Sequence, residues 1–191
     1  MSNEDYENYQ ETSEHFDSTR VPAGLEVILK NLSYQKTPLE KIDVLSVGCG
    51  TGTYEVEIAK KVSNVYGIDI SSKMIEKAKE KKVSNTEFYL GDAVDMDLFQ
   101  DGRFNGVIFN QSLHHIGDCV RQVNALKEAY RVLKEGGRLI IQTSSQKQLT
   151  DGFWWADLIP EAVKKISKRF MPIPEIYTNL EIIGFKNFGE D

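Results

Sequence analysis

The chain has 191 residues, 40% of them apolar and 27% charged, and a formal net charge of −6. That length and composition fit one globular domain and exclude collagen-like, disulfide-framework and wholly disordered classes. No apolar run is long enough to span a membrane, Met1–Asp5 has no signal-peptide character, and Cys49 and Cys119 are too few for a framework, so a cytoplasmic protein with no membrane partner is expected. Six acids (Glu4, Asp5, Glu7, Glu11, Glu14, Asp17) and one base, Arg20, fall in residues 1–20, and the remaining chain is close to neutral. No basic footprint of a general nucleic-acid binder is present, so no nucleic-acid partner is expected. Residues 1–20 have no hydrophobic period and are read as a mobile acidic arm.

Residues 21–191 read as a single domain. Pro22 suits a first helical turn, and Leu25, Ile28, Leu29 and Leu32 recur at helical spacing until Thr37-Pro38 breaks them. Ile42–Val47 is a short apolar run, a strand, and ends in Gly48-Cys49-Gly50-Thr51-Gly52. Tyr54–Val62 is a helix. Val65–Ile70 is a second strand closing on Asp69, and Ser71 caps a helix marked by Met74, Ile75 and Ala78. Thr86–Leu90 is a third strand, followed by Gly91-Asp92, and Phe104–Phe109 a fourth. Val120 to Leu133 is a helix that Gly136-Gly137 should stop, and Arg138–Thr143 is a fifth strand. Phe153-Trp154-Trp155 then opens an apolar stretch reaching Phe170, within which Lys164, Lys165, Lys168 and Arg169 read as the wet face of a helix. Met171-Pro172-Ile173-Pro174 is a break, Glu175–Ile183 a last helix, and Phe185–Phe188 the start of one more strand.

Strands alternating with helices predict a three-layer, doubly wound α/β fold with a mostly parallel sheet. Ligands of such sheets sit outside the carboxyl ends of the strands, which directs attention to Gly48–Gly52, Asp69–Ser71, Asp92–Ala93 and Asn110–His115. Glycines after the first strand let a ligand approach backbone N–H groups and a helix N-terminus. The dinucleotide fingerprint wants G-x-G-x-x-G; here the third glycine comes one residue early, which argues against a nicotinamide-dependent oxidoreductase.

Val44-Leu45-Ser46-Val47-Gly48-Cys49-Gly50-Thr51-Gly52 resembles motif I of the class I S-adenosylmethionine-dependent methyltransferases. The resemblance continues through Gly67-Ile68-Asp69-Ile70-Ser71 and Gly91-Asp92-Ala93. It extends over Phe104-Asn105-Gly106-Val107-Ile108 with Ser112-Leu113-His114-His115-Ile116, and ends at Arg131–Gly137. These five ordered motifs cover residues 42–143 and are most similar to the small-molecule, type 11-like branch. The resemblance implies a Rossmann-like methyltransferase fold, S-adenosylmethionine as cofactor, S-adenosylhomocysteine as product, and a small-molecule acceptor. It implies that Gly48, Cys49, Gly50 and Gly52 pack against the methionine and ribose part. Asp69 would accept from both ribose hydroxyls, and Ile70 and Met74 would lie along the adenine. Asp92 and the Ala93 N–H would meet the adenine edge, and Asn110 and Gln111 the methionine end. Cys49 has no His or Lys pattern nearby to activate it and reads as a small packing residue within that loop.

The chain also departs from the family pattern. Ser46 stands where an acid is usual, one that helps orient the cofactor, often through its amino group, and Asn105 replaces another acid. The family sheet ends in an antiparallel hairpin of its sixth and seventh strands, and this chain ends at about the sixth, so the sheet is expected to lack its last strand. Residues 144–175 are assigned to substrate binding or a lid. A methyl on a sulfonium is already activated, so transfer needs an aligned nucleophile, and a base only if that nucleophile must lose a proton. His114 and His115 are candidates for that base, or turn residues bonding backbone. Arg20 could pair with the cofactor carboxylate or sit on the surface, and Trp154 and Trp155 could line an acceptor cavity or form a hydrophobic seam. A cofactor-binding subunit without catalysis remains the alternative to an enzyme.

Overall fold

The computed structural model describes residues 23–152 and 158–189. Arg20, the acidic arm and the Phe153-Trp154-Trp155 cluster lie outside the described residues. Helix α1 (Leu25–Ser33) leads to β1 (Asp43–Val47), α2 (Thr53–Ala59), β2 (Asn64–Asp69), α3 (Ser72–Glu80), β3 (Thr86–Leu90) and β4 (Phe104–Asn110). A 3-10 turn (Leu113–His115), α4 (Cys119–Val132), β5 (Leu133–Gln142), α5 (Gln146–Asp151), α6 (Pro160–Ser167) and α7 (Ile173–Ile183) complete the described chain. The sheet has five strands in the order β3-β2-β1-β4-β5, every pair parallel. This is the doubly wound α/β fold the alternation predicts.

Strand side chains alternate between faces, and both faces are covered. Leu45, Val47, Val107 and Phe109 are buried with Ala125, Leu126, Ala129 and Val132 of α4 and Ile176 and Leu180 of α7. Val44, Val65 and Ile108 point the other way, onto Ile28 and Leu32 of α1 and Ile58 and Ala59 of α2. Ile75 and Ala78 of α3 close on Phe88 of β3 on that same side. Ser71 caps α3 as its sequence position suggests, its side chain accepting from the Met74 N–H at 3.4 Å. Lys164, Lys165 and Lys168 are exposed on and beside α6, which turns Val163 inward.

Two boundaries differ from the sequence expectation. Helix α4 ends at Val132, within a residue of expectation, but the fifth strand begins at Leu133 rather than at Arg138. Leu133 is drawn into the core and pairs with Phe104, four residues loop out, and the ladder resumes at Gly106 with Arg138. Phe185–Phe188 forms no strand. The N–H groups of Gly184 and Phe185 turn back onto the Glu181 and Leu180 carbonyls, and the Phe185 ring meets Tyr130 edge-on at 5.0 Å. Phe185 therefore closes a helix end and pins α7 to α4, a use of an apolar residue after a left-handed glycine that competes with strand pairing.

Candidate active site

The chain runs β1, β2, β3 to one side, then returns to lay β4 on the other edge of β1. That reversal separates the loops after β1 and β4 and opens a crevice at the carboxyl ends of the strands. The cleft there has a volume of about 160 Å³. Its wall is built from Gly48–Thr51, the first turn of α2 (Thr53, Tyr54, Glu55), Ile68–Ile70, Gly91–Ala93, Asn110–Ser112, His115, Ile116 and Arg121.

Asp69 ties two of these loops together. Its Oδ2 accepts from the Gly50 N–H at 2.9 Å and its Oδ1 from the Ser71 N–H at 2.8 Å. Burial pushes its carboxyl above the ordinary carboxylate range, against the pull of the Ser71, Gly50 and Ile70 N–H groups. An ionised carboxylate offers about four lone-pair sites, so the backbone N–H groups leave acceptor capacity for a ligand. Ile70 follows at the rim, 65% exposed.

Asp92 is engaged twice. Its Oδ1 accepts from the Val94 N–H at 3.1 Å and its Oδ2 pairs with the Arg121 guanidinium at 2.6 Å. The turn geometry and the charged site therefore coexist in one residue, and Arg121 of α4 joins the cleft. Gln111 adopts a left-handed backbone with φ 51°. Its N–H donates to the Gln142 carbonyl at 2.8 Å, and the next residue, Ser112, donates its hydroxyl to the Val47 carbonyl, locking the loop after β4 to the end of β1.

Gly48, Cys49, Gly50, Asp69, Ile70, Asp92, Ala93, Asn110, Gln111 and His115 thus share one cleft. Gly52, Met74 and His114 do not line it. Gly52 has φ 77°, and a Cβ there would come within 2.8 Å of the Phe88 ring, so this glycine lets α2 sit close to the sheet. Met74 is 2% exposed in the core below α3. His114 is 8% exposed and stacks on Phe170 at 3.8 Å between ring centroids. Burial holds the Cys49 thiol well above its ordinary value, with Glu55 and Asp69 adding to the effect, so it is protonated and inert.

Among the lining residues that escaped the sequence reading, two are charged. Glu55 lies 2% exposed with one carboxylate oxygen, Oε1, bonded to the Ser46 hydroxyl at 2.5 Å. Its position is visible in hindsight: 55, 58 and 59 form the buried stripe of α2, and an acid on such a stripe is a signal. Arg121 gave none, because only the chain reversal brings the first turn of α4 to Asp92.

The residues fit an S-adenosyl cofactor in its chemistry. The cleft offers backbone at a glycine loop, a carboxylate with lone pairs to spare for a diol, and two buried acceptors, Glu55 Oε2 and Asn110 Oδ1, with no partner among the described residues. Among the described residues no group of His, Cys, Asp and Glu is arranged to hold a metal ion, and no helix is long and apolar enough to cross a membrane.

The demethylmenaquinone methyltransferase of Staphylococcus aureus (strain MRSA252) is 35% identical over 127 residues, 64% of this chain and 49% of that protein. The chain spans about half the length of the curated relatives it matches. A SAM-dependent methyltransferase from Aquifex aeolicus shares the fold with a TM-score of 0.69 at 20% identity, over 91% of this chain and 88% of that one. A protein of Pyrococcus horikoshii OT3 aligns with a TM-score of 0.58 at 31% identity, over 76% of this chain and 66% of that one. The methyltransferase domain family matches residues 39–176, more than half of the chain. Joined to the ordered motifs around one strand-end cleft, that match means that the chain belongs to the class I S-adenosylmethionine-dependent methyltransferases.

Proposed function

We propose that the chain transfers a methyl group from S-adenosylmethionine to a small-molecule acceptor, with the cofactor held in the strand-end cleft. The observation that carries this reading is Asp69, fixed at the end of β2 by the Gly50 and Ser71 N–H groups while facing the cleft. A carboxylate so held is ready for two vicinal hydroxyls, which donate where the backbone does not. Family membership supports the cofactor, and the acceptor named for the Staphylococcus aureus relative supports a small molecule.

Bound, the cofactor supplies a methyl group already activated on sulfur. Gly48, Cys49 and Gly50 supply the backbone it packs on, and Gly52 and Met74 support that wall from behind. Ile70 gives an apolar surface for the adenine, Asp92 and the Ala93 N–H address its edge, and Asn110 and Gln111 border the methionine end. His115, in the cleft, is the residue to accept a proton from the acceptor when one must leave. His114, stacked on Phe170, positions the turn that carries His115. We assign residues 42–143 to the cofactor core of a single domain over 21–191, and 144–175 to acceptor binding or a lid. The contact of Phe170 with His114 supports that link. The arm, residues 1–20, and Arg20 are assigned to closure over the cofactor carboxylate. The two free cysteines support a cytoplasmic site of action.

Calorimetric titration with S-adenosylhomocysteine tests the core of this reading. Saturable binding to the wild-type chain, lost in Asp69→Ala, is the expected result; no binding to the wild type removes it. Transfer of a labelled methyl group across a metabolite panel with RNA included then identifies the acceptor. Label appearing in RNA alone would overturn the small-molecule assignment.

A further inference from the structure

Motif I of this chain lacks its usual acid, and the structure puts another acid at the same place. Ser46, at the end of β1, is buried and donates its hydroxyl to Glu55 Oε1 at 2.5 Å. Glu55 comes from the first turn of α2, nine residues on, and lines the cleft. Its second oxygen, Oε2, is buried and has no hydrogen-bond partner among the described residues. A buried carboxylate oxygen without a donor is costly to keep, and such groups recur where a ligand completes the bonding. The groups facing it do not neutralise it. Asp69 repels its charge, the neighbouring Cys49 thiol is neutral, and the Lys81 ammonium, bonded to Thr53 Oγ1 at 2.8 Å, offsets only part. On the far side of the cleft stand His115 and the mutually paired Asp92 and Arg121.

We infer that Glu55, held by Ser46, is the residue that receives the α-ammonium of the cofactor's amino-acid end. The inference rests on the cofactor reading above. The choice of group follows from donors. The sulfonium is cationic but carries no N–H, the adenosine end is uncharged, and the ammonium alone brings both a positive charge and three donors. Asn110 Oδ1, the other unpartnered buried acceptor of the same cleft, suits a second of those donors. Ser46 is then a positioning residue: it fixes one oxygen and leaves the other turned to the ligand.

Burial raises the Glu55 carboxyl from about 4.5 to about 7. Near neutral pH the free protein therefore holds a proton there in part of its population, and pairing with an ammonium expels it. Affinity for the amino-acid end should rise with pH through 7.

The test compares two probes, S-adenosylhomocysteine, which carries the ammonium, and 5′-methylthioadenosine, which has the same nucleoside and lacks the amino-acid end. Glu55→Gln keeps the size of the side chain and an acceptor for Ser46. It should weaken S-adenosylhomocysteine about tenfold or more and leave methylthioadenosine unchanged. Wild-type protein at pH 7, titrated in two buffers of different ionisation enthalpy, should release protons to S-adenosylhomocysteine and not to methylthioadenosine. This second measurement needs no variant. Equal weakening of both probes, no weakening of either, or no proton release specific to the ammonium-bearing probe overturns the assignment while leaving the cofactor reading intact. Wild-type protein that binds neither probe overturns the cofactor reading, and this assignment with it.

Discussion

Asp69 does two jobs with one carboxylate, and its substitutions should separate them. Asp69→Ala removes the acceptors for the Gly50 and Ser71 N–H groups as well as those for a ribose, so S-adenosylhomocysteine binding should weaken by about 2–4 kcal/mol by calorimetry. Asp69→Asn turns an NH₂ toward one of those backbone N–H groups, and its loss should approach that of alanine. Gly50 is the sharper probe of contact. It has φ 55° and lines the cleft; Gly50→Val strains the backbone and blocks ligand approach, so binding should vanish while the far-UV spectrum stays folded. The residues readable from sequence were those fixed by chain position alone, because a glycine or acid directly after a strand must fall at the strand-end crevice. Glu55 and Arg121 were not readable in that way. Their place depends on which face of α2 is buried and on how α4 docks beside β4, and both are tertiary facts.

At the level of elements, the excursion between β3 and β4 hangs on a single side chain. Arg131 of α4 donates to the Phe99 and Met96 carbonyls, to Asp101, and through two nitrogens to Glu128, which in turn accepts the Met96 N–H at 2.8 Å. This clamp holds Met96 and Phe99 in the core. Arg131→Ala should destabilise the protein by about 2 kcal/mol, seen as a drop in Tm of roughly 4–8 °C. Arg131→Lys should recover little, since an ammonium cannot span the forked contacts. The sequence placed β1 to β4 to within a residue, because strand and helix periods differ and glycines mark the turns, while the helix read over Tyr54–Val62 stops at Ala59. It missed the start of β5 at Leu133, whose pairing with Phe104 across an irregular register has no local signature, and it misread the Phe185 segment, whose ring packs on Tyr130 instead of entering a strand.

For the whole molecule, pH acts through two acids shifted in opposite directions, the half-buried Glu128 and the buried Glu55. The Arg131 hydrogen bonds hold the Glu128 carboxyl below its ordinary value, so the stability it contributes is present above about pH 4.5 and is lost as pH falls through its folded value. Glu55 is the reverse: its carboxyl is raised from about 4.5 to about 7. Between those values the unfolded chain is ionised while the folded protein keeps the proton, so stability falls as pH rises and is level above 7. The loss attached to Glu55 is about 3 kcal/mol over that window. Denaturant titrations from pH 5 to 8 should show ligand-free wild type losing stability relative to Glu55→Gln, and parallel curves would refute this. The strand order has a further consequence for synthesis. One side of β1 waits for β4, which begins only at residue 104, while β2 and β3 can pair on the other side beforehand. A nascent chain released or stalled before that point carries the open edge of β1, four of whose five residues are buried in the folded protein, a template for joining another chain. The longer β4 takes to reach β1 after β2 and β3 have paired, the longer that edge stays open to aggregation during expression.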